Sequence, residues 1–179
     1  MARSVQSAFR YPFAVVRTAT GVSAGALQFP AMATAASMDE LLPLLEQQVA
    51  LYLLDRHLEG DTPQPPKAAT PSDLRDYEEE GDTPEVVYVQ PAPMSVVSVA
   101  IERALREEGL SQAEMARRMN VPRSVVSRIV NPFYFGHSSR TLRSVATALG
   151  RDLHVSIDRP ESRSDRTRRE DASLPNLTF

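Results

Sequence analysis

One stretch near the C-terminus constrains this chain more than any other. In LSQAEMARRMNVPRSVVSRIV, Ser111 precedes Glu114 by three positions, the spacing of a capping box that opens a helix. That helix runs to about Met119, and Asn120–Val121–Pro122 then interrupts the period. Asparagine tolerates the left-handed backbone that a tight turn between helices needs. Pro122 fixes a φ suited to a first helical turn and gives up only an N–H that would be unpaired there. A further helix follows over about Arg123–Val130. Ala116 is small where two helices cross closely. Met115, Met119, Val121, Val126 and Ile129 are apolar where the pair must rest on a core. With those side chains inward, Arg123, Ser124, Ser127 and Arg128 share the opposite face.

The spacing is that of a helix-turn-helix, and two guanidinium groups with two hydroxyls can donate to guanine edges and phosphate oxygens. Periodicity alone also fits a plain bundle with a charged surface. The joint occurrence of cap, small crossing residue, turn asparagine and exposed Arg/Ser face favours DNA recognition. The flanks supply the rest of a helical domain. Ser95–Glu108 carries Val96, Val99, Ile101, Ala104 and Leu105 on one side and ends at Gly109. Ser139–Leu149 turns Leu142, Val145, Ala146 and Leu149 inward and ends at Gly150. Its N-terminus, with Ser138, Ser139 and Arg140, is a candidate phosphate contact. Asp152–Ile157 alternates as a strand.

The first half reads differently. Tyr11–Arg17 and Gly21–Phe29 have the look of two short strands joined by a turn at Ala19–Gly21, and a third short run, Ala31–Ala36, follows Pro30. Ser37 with Glu40 makes a second capping box. Leu41, Leu42, Leu45, Val49, Tyr52 and Leu53 form the apolar stripe of the helix it opens, which ends at Gly60. Pro43 should kink that helix or delay its start. The proline-rich segment 61–70 is a linker or extended loop, Ser72–Asp76 a short helix, Glu78–Asp82 a solvated acidic loop, and Glu85–Gln90 a fourth strand. The expected class is α+β: strands 1–3, a helix and strand 4, then an all-α helix-turn-helix domain with a C-terminal strand. The expected boundaries are a disordered start over 1–9, domains over 10–93 and 94–158, and a disordered charged tail over 159–179.

Charge divides the chain as well. Residues 1–36 carry three arginines and no acid; 37–93 sum to −10; 95–157 sum to +4. A basic segment beside an acidic one fits two surfaces for two kinds of partner. The arginine-bearing, acid-free start has the composition of a transit peptide, but a short disordered start followed by strands fits it better. With no cysteine there is no disulfide, thiolate zinc site or thiol nucleophile. No apolar run reaches the roughly 20 residues of a bilayer span, so the expectation is a soluble, cytoplasmic protein.

The segment LSQAEMARRMNVPRSVVSRIV resembles the Cro and λ-repressor type of helix-turn-helix. The wider order of features resembles the HicB antitoxins of bacterial toxin–antitoxin pairs. These features are the YPFAVV strand, Phe29–Pro30, SMDELLPLLEQQVALYLLDRHLEGDTPQPP, VVYVQP leading into SVVSVAIERALREEGLSQAEMARR, and TLRSVATALGRDLHVSI. The resemblance covers about residues 11–157. It implies a partial RNase H-like N-terminal domain that caps a small basic RNA-cleaving toxin of HicA type. It also implies a C-terminal domain that binds an inverted-repeat operator as a homodimer or higher homo-oligomer. Similarity to λ-type repressors puts Arg123, Ser124 and Arg128 at base-reading positions and Gln112 and Asn131 at phosphate contacts. Alanine stands at position 31, where family members often have glycine, and the first hairpin is shorter than theirs. On the toxin side, position on the helix suggests Tyr52, Asp55 and Glu59.

An RNase H-like shape raises the possibility of a two-metal nuclease, which needs several carboxylates on neighbouring strands. The first three strands contain no Asp or Glu, and His57, His137 and His154 are scattered without ligand spacing. There is no glycine-rich phosphate loop. The expectation is therefore a protein without catalytic residues, metal or cofactor. Two other classes compete: a one-component repressor with a ligand-sensing N-terminal domain, and an adaptor whose helical half binds protein.

Overall fold

The computed structural model describes residues 9–77 and 84–156. Residues 1–8 of the start expected to be disordered over 1–9, the acidic run Glu78–Asp82 and the expected tail over 159–179 lie outside the described residues. The chain divides into two compact units, Met1–Pro93 and Met94–Phe179.

In the first unit the strands are β1 (Tyr11–Thr18), β2 (Gly21–Ala26), β3 (Met32–Ala35) and β4 (Glu85–Val89). They form one antiparallel sheet in the order β3-β2-β1-β4. Helix α1 (Met38–Leu58) enters between β3 and β4 in sequence. Alternation places Tyr11, Phe13, Val15, Val22, Ala24, Ala26 and Val89 in one core with Leu41, Leu45, Val49 and Leu53 of the helix. The helix also buries Ala50 and Leu54. Leu42, expected in the apolar stripe, is 39% exposed.

Ser37 caps α1 as expected, its Oγ accepting from the Glu40 amide at 3.3 Å. The returning bond of the box starts one residue earlier, from the Ala36 amide to the Glu40 carboxylate. The helix begins at Met38 despite Pro43, so its start is not delayed. The carbonyl that loses its partner belongs to Asp39, an exposed first-turn residue.

Beyond α1, a 3₁₀ helix over Pro71–Tyr77 lies against β1. Tyr77 occupies the space above Gly25: a Cβ there would sit 2.5 Å from the ring. The Tyr11 hydroxyl donates to the Gln64 carbonyl at 2.7 Å, and the Ala69 amide donates to the Tyr88 hydroxyl. The proline-rich segment is therefore fastened along its length.

The second unit contains α2 (Val96–Glu107), α3 (Gln112–Met119), α4 (Arg123–Ile129) and α5 (Ser139–Leu149). Its core gathers Ile101, Ala104, Leu105, Met115, Ala116, Val126, Ile129, Val130, Val145 and Leu149. The strand expected over Asp152–Ile157 is not formed. Residues 151–156 have no regular structure and are exposed, Val155 by 76%, and Ile157 lies outside the described residues. Alternation needs a neighbouring strand to accept its ladder, and the described part of this unit has none.

Candidate nucleic-acid interface

The turn between α3 and α4 is built as its residues require. Ser111 Oγ accepts from the Glu114 amide at 3.1 Å. The Glu114 carboxylate pairs with Arg117 and Arg118, and the bonded Arg117 guanidinium holds it below its ordinary pKa. Arg118 also donates to the Ala148 carbonyl at 3.1 Å, tying α3 to α5. Asn120 adopts φ 53°, ψ 48°, in the left-handed region. Pro122 takes the N-cap position of α4 with ψ 146°, not a place within its first turn. A cap residue is extended, and the proline ring satisfies that φ equally well.

On α4, Val126 and Ile129 are buried while Arg123, Ser124, Ser127 and Arg128 are all exposed. The short helix therefore offers two guanidinium groups and two hydroxyls on one solvent face. Gln112, the first residue of α3, is half-buried. Asn131 is exposed just beyond α4; its Oδ1 accepts from the Phe133 amide at 2.9 Å, which leaves the Nδ2 hydrogens as its outward donors. At the start of α5, Ser138 is taken up by the cap: its Oγ accepts from the Thr141 amide and meets the Thr141 hydroxyl. Ser139 and Arg140 remain exposed.

Electrostatics separates these arginines from the others. From Met115 to Arg151 the sequence contains seven arginines and no acid. Arg106 pairs with Glu102, Arg117 and Arg118 with Glu114, and Arg151 with Glu107 and Glu108. Among the described residues, Arg123, Arg128, Arg140 and Arg143 have no carboxylate within ion-pair distance. Their positive charge is left for an external anion, and an exposed row of donors facing a polyanion is the footprint of nucleic-acid binding.

Residues 101–155 match the helix-turn-helix family model. The second unit thus carries a helix-turn-helix domain of Cro and λ-repressor type, a double-stranded-DNA-binding domain of transcription regulators. A comparison with curated proteins finds no match for the chain. The matched segment runs from within α2 through α5, with α3 and α4 as its central pair.

The three residues suggested for a protein partner sit in the first unit. The Tyr52 ring stacks on Phe29 at 4.3 Å and meets Tyr11 edge-on at 5.7 Å, so it is half-buried at the border of the core. Asp55 and Glu59 are exposed and share Arg56, at 3.6 and 2.8 Å; Arg56 also binds Asp61 at 2.9 Å. Among the described residues, no group of three His, Asp or Glu side chains is placed to hold a metal ion, and no helix is long and apolar enough to cross a membrane.

The residue that sequence reasoning missed is Tyr134. The Arg128 guanidinium carbon lies 5.5 Å from the centre of its ring. The sequence signal for it was the aromatic run Phe133–Tyr134–Phe135 directly after α4.

Proposed function

We propose that this chain is an antitoxin and autorepressor: its C-terminal unit represses its own operon, and its N-terminal unit neutralises a small basic ribonuclease toxin of HicA type. The observation that carries the DNA-binding part is the α4 face, where Arg123, Ser124, Ser127 and Arg128 are exposed and no described carboxylate pairs with either arginine. Arg128 is proposed to read a guanine bidentately, with Arg123 and Ser124 beside it. Gln112, Asn131, Ser139 and Arg140 are proposed to fix the register on phosphates. A homodimer would present two α4 helices to major grooves about one helical turn apart, so the operator is an inverted repeat.

The toxin-binding part is supported by the resemblance to HicB antitoxins and by the −10 charge of residues 37–93, which would speed encounter with a basic partner. Tyr52, Asp55 and Glu59 are the proposed contacts. The protein acts by occupancy rather than by catalysis. Co-expression tests this reading: the small reading frame beside the gene should arrest growth alone, and this chain should relieve the arrest and co-purify with it. A neighbouring product that is harmless, or an arrest that persists with this chain present, overturns the antitoxin half and leaves the repressor.

A further inference from the structure

The loop between α4 and α5 is held far more firmly than its lack of regular structure suggests. Its centre is Tyr134, which is anchored at every polar atom it has. The backbone N–H donates to the Asn131 carbonyl at 2.9 Å. Its carbonyl accepts from the Ser98 hydroxyl at 3.3 Å. Its own hydroxyl donates to the Gly136 carbonyl at 2.7 Å. The ring meets His137 edge-on, with centroids 5.0 Å apart.

The two groups behind it are fixed in turn. Ser98 is fully buried on α2, and its hydroxyl lies 3.2 Å from His137 Nε2. That nitrogen is 2.9 Å from the Ile129 carbonyl at the end of α4. A carbonyl only accepts, so Nε2 carries the hydrogen and the imidazole ties the loop to the recognition helix. Gly136 must be glycine for this arrangement, since a Cβ there would stand 2.8 Å from the Tyr134 hydroxyl and 3.0 Å or less from two ring carbons.

Over this anchored ring lies the guanidinium of Arg128, its carbon 5.5 Å from the ring centre. An exposed arginine normally samples many rotamers and loses that freedom when it binds. A guanidinium attracted to an aromatic face has already lost part of it. We propose that Tyr134 is a positioning residue for Arg128: it presents the guanidinium plane to a guanine edge and thereby sets sequence preference, while contributing little to general affinity for DNA. This rests on the reading of α4 as a DNA-recognition helix. It assigns the aromatic run after that helix to specificity rather than to the core.

The test uses the full chain and duplexes that it selects from a randomised library. Tyr134→Leu keeps an apolar side chain of moderate size but removes the aromatic face. It should weaken binding to the selected duplexes by about two- to fivefold, the range expected of an exposed cation–π contact. Binding to random duplexes should hardly change. Gly136→Ala should reproduce the effect by displacing the ring, and Tyr134→Phe should retain most of the preference. In an Arg128→Ala background, Tyr134→Leu should have no further effect.

Equal loss on selected and random duplexes, or the same loss with Arg128 absent, would show a merely structural role and overturn the proposal. If the parent chain enriches no sequence at all, the DNA-recognition reading fails first, and the proposal falls with it. If Tyr134→Leu does not fold, Gly136→Ala and Tyr134→Phe carry the comparison by the same criteria.

Discussion

Gly25 is backbone beneath a ring. Because Tyr77 fills the space a side chain would need, Gly25→Ala must push the phenol aside, and a ring at the end of a flexible side chain yields before a paired strand does. The expected cost is about 1–2 kcal/mol of first-unit stability, read from urea unfolding. An unchanged midpoint would mean that Tyr77 does not pack there. Tyr11 makes a second residue-level claim. Burial, with a smaller contribution from nearby Tyr52, pushes its phenol up from 10.0 to about 12. The fold favours the neutral phenol, so this contribution to stability is complete below pH 10 and is lost as pH rises from 10 through 12. Of the five tyrosines, one should ionise near pH 12 in an absorbance titration, and Tyr11→Phe should remove that component. A titration unaltered by the substitution would contradict the assignment.

Elements were legible where their ends are marked chemically. Ser37, Ser95, Ser111 and Ser138 each accept a hydrogen bond from the amide three residues on, and Gly60, Gly109 and Gly150 take positive φ just past their helices. Those features are local, so sequence spacing reveals them. Asn120 belongs to the same class. Asn120→Ala should cost about 1–2 kcal/mol, because alanine pays the left-handed penalty, while Asn120→Gly should cost less. Thermal unfolding of the pair distinguishes this from a loss of side-chain contacts, which would order them the other way. Pro43 does not delay the start of α1, because propensity is only one contribution: six packed side chains of the helix outweigh one missing hydrogen bond. Pro43→Ala restores an N–H opposite the Asp39 carbonyl and should stabilise the first unit by about 1–3 kcal/mol. A neutral or destabilising result in urea would show that the proline is accommodated at no cost.

At the scale of the whole molecule, what escaped sequence reasoning depends on residues far apart in the chain. The sheet order β3-β2-β1-β4 is a choice among several pairings that alternation permits. The strand expected at Asp152–Ile157 had the right pattern but, among the described residues of its unit, no partner strand. The platform under Arg128 depends on Ser98 and His137, which are 39 positions apart, and no local motif announces it. By contrast, the exposed face of α4 was readable, because the apolar residues that must go inward leave only one place for the polar ones. Charge distribution was readable too, although only coordinates reveal which arginines are already neutralised by Glu102, Glu107, Glu108 and Glu114.

We propose that α4 lies in a major groove with Arg128 at a guanine. Guanine N7 is a major-groove acceptor that such a contact uses, so methylation interference on a selected duplex tests it most directly. Methylating N7 of one guanine per half-site should prevent binding by the parent chain, and Arg128→Ala should lose sensitivity at that guanine while retaining it elsewhere. Binding indifferent to N7 methylation at every guanine would mean that Arg128 does not meet guanine in the major groove.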